Sequence, residues 1–105
     1  MAQFDVYRNP GQATKKAYPF IVDIQNALLE DIATRIVVPL GSPDEFIKHG
    51  MKNLTPEVKY NGEIYLLAIP QIASIPASVL KNPDGNLIQF RSKILSALDF
   101  AISGF

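Results

Sequence analysis

A small, strongly twisted antiparallel sheet or open barrel, packed against a single C-terminal helix, is the fold this sequence predicts, in the α+β, mainly β class. Three observations point to it. Short apolar or alternating runs, punctuated by turn residues, fill the first four-fifths of the chain. Asn61-Gly62 is a strong hairpin signal, because it supplies positive φ at both central positions of a type I′ turn. From Leu87 onward the apolar period changes to that of a helix, and no βαβ crossover precedes it.

The elements follow in order. Gln3 to Arg8 alternates, placing Phe4, Val6 and Arg8 on one side and Gln3, Asp5 and Tyr7 on the other, as in a half-buried strand. Asn9-Pro10-Gly11 ends it, and the small, polar and basic stretch to Lys16 reads as a mobile loop. Tyr18 to Ile24 is a second strand. Ile32 to Leu40 is a third, nearly continuous in apolar residues and so expected to be buried on both faces, with Pro39 marking its end. Between them, Asn26 to Asp31 is too short for a full helix and exposes Leu28-Leu29 in a turn. Asp44 to Lys48 is expected to form a short helical turn, followed by irregular chain to Asn53.

Two-residue closure at Asn61-Gly62 pairs Tyr60 with Glu63 and Val58 with Tyr65. Leu54, Pro56, Val58 and Tyr60 then share a face with Tyr65, Leu67 and Ile69. Pro76 confines any strand within Ile72 to Leu80 to an edge. Asn86 is the expected N-cap of the helix, with Gln89 in capping-box position. Leu87, Phe90, Ile94, Ala97, Leu98 and Ala101 form one stripe, flanked by Ile88, Leu95 and Ile102. That arc spans roughly half the circumference, wider than the ~100° a surface helix needs, so the helix sits deep or meets another chain. The opposite arc carries Gln89, Ser92, Lys93, Ser96, Asp99 and Ser103, with Phe100 among them.

Length fits a single domain over residues 1–105. Ten basic and ten acidic residues cancel, giving no net positive field to gather phosphates, so direct nucleic-acid binding is not expected. Without cysteine, and with His49 the one histidine, thiol catalysis, sulfur-built zinc sites and multi-histidine metal sites are excluded. No run reaches the ~18 apolar residues of a membrane span, and Met1-Ala2-Gln3-Phe4-Asp5 lacks the pattern of a signal peptide. The expected location is cytoplasmic, with no membrane, metal or cofactor.

No catalytic constellation emerges. His49 reads as an exposed loop histidine with nothing adjacent to orient it, and the neighbouring carboxylates Glu30-Asp31 and Asp44-Glu45 read as solvated turns. Arg35 and Arg91, two of three arginines, lie beside apolar sequence, where an arginine snorkels or pairs with a carboxylate. Leu28-Leu29 and Phe105 are apolar residues in a turn and at the end of the sequence, a setting typical of protein-binding hot spots.

Several segments together resemble the CcdB toxins of toxin–antitoxin modules: Gln3-Phe4-Asp5-Val6-Tyr7, Phe20-Ile21-Val22-Asp23-Ile24-Gln25, Thr34-Arg35-Ile36-Val37-Val38-Pro39-Leu40, Ile72-Ala73-Ser74-Ile75-Pro76 and the closing helix to Ser103-Gly104-Phe105. The resemblance implies an SH3-like barrel, of the kind CcdB and MazF share. It also implies a non-enzymatic homodimer that enters the DNA gyrase A subunit, traps the enzyme on cleaved DNA, and is removed by a CcdA-like antitoxin, as in plasmid maintenance. Carried over by position, the gyrase-facing residues are Leu28, Leu29, Ser96, Asp99, Ser103, Gly104 and Phe105. The antitoxin-facing surface maps to the loop with Arg8, Asn9, Lys15 and Lys16 and to the turn with Asp44 and Phe46. The pattern departs at its end, where Trp-Gly-Ile is replaced by Ser103-Gly104-Phe105. Loss of a tryptophan stacked on a gyrase arginine removes ~0.5–2 kcal/mol. Two other readings stay open: an endoribonuclease of the MazF or Kid type, which needs a basic groove around Arg35 or Arg91, and a homologue that binds antitoxin without poisoning gyrase.

Overall fold

A computed structural model of the chain describes residues 2–26, 29, 31–44 and 56–104. Among the described residues, seven strands form one antiparallel sheet: β1 (Asp5–Arg8), β2 (Phe20–Asp23), β3 (Thr34–Gly41), β4 (Glu57–Tyr60), β5 (Glu63–Leu67), β6 (Ala73–Pro76) and β7 (Gly85–Asn86). Their order is β4-β5-β3-β2-β1-β7, with β6 added to β3. The helix α1 (Arg91–Ser103) follows. The sheet curls into the half-barrel of an SH3-like fold, and the α+β expectation is met.

The hairpin closes as its turn chemistry requires. Tyr60 pairs with Glu63 and Val58 with Tyr65, while Asn61 and Gly62 take φ of 52° and 80°. Strand β3 is the organising strand. Along one side it pairs with β2 from Phe20↔Leu40 to Asp23↔Val37. Along the other it pairs first with β6, then with β5 at Leu40–Gly41. Pro39 lies where the neighbour changes and does not end the strand. Its carbonyl accepts from Ala68 N–H at 2.8 Å, so its ring nitrogen faces that same side and no β2–β3 bond is lost.

Register also builds the core. Val6, Val22 and Val38 are direct neighbours across three strands and are fully buried with Leu40, Leu67, Leu87 and Ile94. Phe4 holds φ at 71°, a costly conformation for a bulky residue. It is retained because Phe4 N–H donates to Asp23 O and Phe4 O accepts from Leu87 N–H at 2.8 Å, while the ring fills the core. The reverse face of β1–β3 is covered as well, by Tyr7, Ile21, Val37 and Leu80. The first strand is therefore buried on both sides at Val6 and Tyr7, where alternation alone predicts one covered face.

The helix starts later than its sequence pattern. Asn86 caps no helix: its side chain accepts from Ile88 N–H at 2.7 Å and donates to Asp5 Oδ1 at 2.8 Å, and its backbone pairs with β1. A short 3₁₀ turn over Ile88–Phe90 follows, and α1 opens at Arg91. Ile94 is buried and Leu95, Ala97 and Leu98 pack partly against the core, whereas Ala101 of the predicted stripe is exposed.

Candidate functional site

The outer face of α1 carries three of the predicted docking residues. Ser96, Asp99 and Ser103 lie three and four residues apart, which sets them on one helical face, and all are exposed. Ser103 Oγ donates to Asp99 O at 2.6 Å, so the serine hydroxyl is turned back onto the helix. Gly104 closes the helix in the left-handed region (φ 81°, ψ 14°), and its N–H donates to Phe100 O. Two apolar side chains outside the predicted set stand beside this face: Phe100 is 49% and Ile102 81% exposed. Both were visible in the helical projection, Phe100 among polar residues and Ile102 at the stripe's margin.

A further exposed apolar residue, Leu29 at 44%, sits in the β2–β3 turn. Leu28, predicted beside it, lies outside the described residues, as do Phe105 and Phe46. The turn is tied to a buried polar cluster. Asp23 (0% exposed) and Arg35 (1%) form an ion pair across β2 and β3. Arg35 Nε donates to Asp23 Oδ2 at 2.8 Å, and Nη2 reaches the same oxygen at 2.7 Å. Asp23 Oδ1 accepts from the Gln25 backbone N–H at 3.0 Å. The Gln25 side chain, also buried, accepts from Ile36 N–H at 3.0 Å and donates to Leu29 O at 2.7 Å. Burial raises the Asp23 carboxyl above its ordinary value, while the Gln25 N–H and the Arg35 guanidinium act the other way. Both Nη atoms of Arg35 and the Tyr7 hydroxyl are buried without a hydrogen bond among the described residues, Nη2 meeting Asp23 as an ion pair alone.

The predicted antitoxin-facing loop is built of hydrogen-bonded turns. Asn9 Nδ2 donates to Tyr18 O at 2.7 Å and to Thr14 Oγ1 at 3.1 Å, and Asn9 Oδ1 accepts from Gly11 N–H. Lys15 and Lys16 are exposed, and so is Asp44, where a helical turn begins at Pro43. Arg8 lies 3.7 Å from Asp84, whose Oδ2 accepts from the Tyr60 hydroxyl at 2.5 Å. Burial, then this bond to a carboxylate, raises the Tyr60 phenol well above its ordinary value. Gly85 makes that approach possible, since a Cβ there would meet the Tyr60 ring at 2.8 Å. Between the loop and β3–β6 lies an apolar cavity of about 360 Å³, lined by Asn9, Ile21, Val37 and Ile75 among others.

A scan of protein families matches residues 3–104 to the family described as CcdB protein. The chain belongs to the CcdB family. That family is one of toxins of toxin–antitoxin modules, and its match spans all seven strands and α1. A search of curated proteins found no match.

Among the described residues of this CcdB-family protein, those weighed for catalysis are not brought together. Arg35 is locked to Asp23 inside the sheet and cannot present its guanidinium to a phosphodiester, whereas Arg91 is exposed at the start of α1. Asp31 and Asp44 are exposed on separate segments. His49, Glu30 and Glu45 lie outside the described residues. Among the described residues no group of three His, Cys, Asp or Glu is placed to hold a metal, and no helix is long and apolar enough to cross a membrane.

Proposed function

We propose that this protein is a cytoplasmic, homodimeric poison of DNA gyrase that acts by binding alone. The observation that carries the reading is the CcdB-family match over residues 3–104. It is supported by an exposed surface suited to a protein partner: Leu29 in the β2–β3 turn, and Ser96, Asp99, Ser103 and Gly104 on α1 with Phe100 and Ile102 beside them. Desolvated apolar side chains ringed by polar groups are the usual source of interface affinity. The dimer enters the gyrase A subunit while the DNA gate is open, with Leu28 and Phe105 completing the contact, and holds the cleaved complex. A CcdA-like antitoxin engaging the Arg8–Lys16 loop and the segment with Asp44 and Phe46 removes it.

Purified gyrase, ATP and supercoiled plasmid test this reading. Cleaved DNA accumulates with the intact protein and not after deletion of Ser103–Phe105, and Ser103→Trp tightens binding to the A subunit by up to about 30-fold, the equivalent of ~2 kcal/mol. No cleaved DNA at saturating protein refutes poisoning. With antitoxin binding retained, that outcome identifies instead a homologue that has lost poisoning, the reading Ser103 favours.

A further inference from the structure

We propose that Gln25 is a positioning residue for docking: its buried side-chain amide fixes the Leu29 backbone and so sets how the β2–β3 turn presents its apolar side chain. This rests on the docking role proposed for Leu29.

The geometry requires a group that accepts on one side and donates on the other. Toward β3, Gln25 Oε1 takes the Ile36 N–H at 3.0 Å; toward the turn, Nε2 gives a proton to Leu29 O at 2.7 Å. A carboxylate cannot donate, an ammonium cannot accept, and a thioether supplies neither function usefully. The two partners differ in kind, so they also fix which way round the amide lies. Leu29 is thereby held at both of its backbone polar groups. Its N–H donates to Asn26 O at 2.9 Å, and its carbonyl accepts from Gln25 and from Ile32 N–H at 3.2 Å.

Behind Gln25 stands the ion pair. Arg35 anchors Asp23 Oδ2, and Asp23 Oδ1 anchors the Gln25 N–H. The relay Arg35–Asp23–Gln25–Leu29 thus runs from the centre of the sheet to an exposed side chain. A half-exposed leucine with no such brace would lose conformational freedom when a partner binds, and that ordering cost would be taken from the affinity. The brace removes most of it beforehand.

The test is Gln25→Met, close in length and without the amide, compared with Leu29→Ala. Amide hydrogen exchange at Leu29 and Ile32 is expected to speed up at least tenfold, while amides of the β4–β5 hairpin keep their protection. Affinity for a purified gyrase A fragment falls about tenfold in both variants. If Leu29→Ala weakens binding and Gln25→Met does not, the positioning role is overturned while the docking site stands. If Leu29→Ala binds as the wild type does, the docking role of Leu29 fails, and the positioning proposal falls with it. Should Gln25→Met not fold, the wild-type protein decides: slow solvent exchange of the Gln25 Nε2 protons, lost on Leu29→Gly together with gyrase affinity, supports the relay, and exchange at the rate of a free amide overturns it.

Discussion

Replacing Arg35 with methionine removes the one positive charge that faces Asp23 among the described residues and keeps a side chain of comparable reach. Asp23 is 0% exposed, and its Oδ2 is served by Arg35 through both Nε and Nη2. After substitution only Oδ1 keeps a donor, the Gln25 N–H at 3.0 Å. Stranding a buried carboxylate in this way costs about 3–5 kcal/mol, against a total stability of roughly 5–15 kcal/mol for a domain of this size. At about 4–8 °C per kcal/mol, the melting temperature falls by about 12 °C or more. The double variant Asp23→Leu/Arg35→Met removes both charges, and with them the unpartnered Arg35 Nη1. It recovers most of the loss, because an apolar pair of similar volume often matches a buried ion pair in stability. Urea unfolding of the wild type, both single variants and the double variant closes the cycle. A loss below about 1 kcal/mol for Arg35→Met, or single effects that add to within about 0.5 kcal/mol in the double variant, would refute the claim that the two groups are coupled.

Alkaline pH probes the buried Tyr7 and Tyr60 and the half-buried Tyr65. Burial comes first among the causes that raise Tyr7, Tyr60 and Tyr65, and carboxylates nearby add to it: Asp84 at Tyr60, Glu63 at Tyr65, Asp5 and Asp23 at Tyr7. In the unfolded chain each phenol ionises near pH 10 while the folded protein still holds its proton. Stability is therefore level below pH 10 and falls above it, by at most ~1.4 kcal/mol per pH unit for each tyrosine. Chemical denaturation at pH 9, 10 and 11 shows this fall, and Tyr60→Phe makes it shallower. Along α1, sensitivity divides: Ile94→Ala costs about 2–5 kcal/mol as a core truncation, whereas Ile102→Ala changes stability by less than about 0.5 kcal/mol. Equilibrium unfolding of the two variants measures the contrast.

What the sequence made legible was local. Asn61-Gly62 specifies its own turn, and the turn specifies the register of β4 and β5, so the pairing of Tyr60 with Glu63 needed no tertiary information. The one-face spacing of Ser96, Asp99 and Ser103 follows likewise from helical period. Other features depend on partners distant in the chain. Asp23 and Arg35 each sit in an apolar run, and only the β2–β3 register, Asp23 opposite Val37, brings them to one face; reading Arg35 as a pairing arginine identified its chemistry and not its partner. The helix start was misplaced because Asn86 is used by β1, through Asp5 and a backbone pair 81 residues away in sequence. Tyr7 shares its strand side with Gln3 and Asp5, and its burial depends on Leu80, which follows β6 in the chain and packs with it. Gln25 gave no sign of the role proposed for it, since a lone glutamine after a strand is ordinary and the proposal rests on its bonds to the Leu29 carbonyl and the Ile36 N–H.

On the function proposed above, these placements separate folding from docking within single elements. Helix α1 is anchored by Ile94 and its partly buried neighbours, and its last turn projects Phe100 and Ile102 into solvent. The β2–β3 turn has the same division: Gln25 is buried and bonded on both sides, while four residues later Leu29 is half exposed. A protein that works by gripping a partner needs surface residues that are apolar, which favours their burial, and yet fixed in place, which usually requires it. Here fixing is achieved through the backbone, by the Gln25 amide at one site and by the Gly104 cap at the other, so the side chains stay available. Substitution of the exposed residues can then retune the partner surface with little effect on the fold. Ser103, in the position where the CcdB resemblance leads one to expect a tryptophan, is a change of that kind: its hydroxyl satisfies Asp99 O within the helix, and the sheet beneath is untouched.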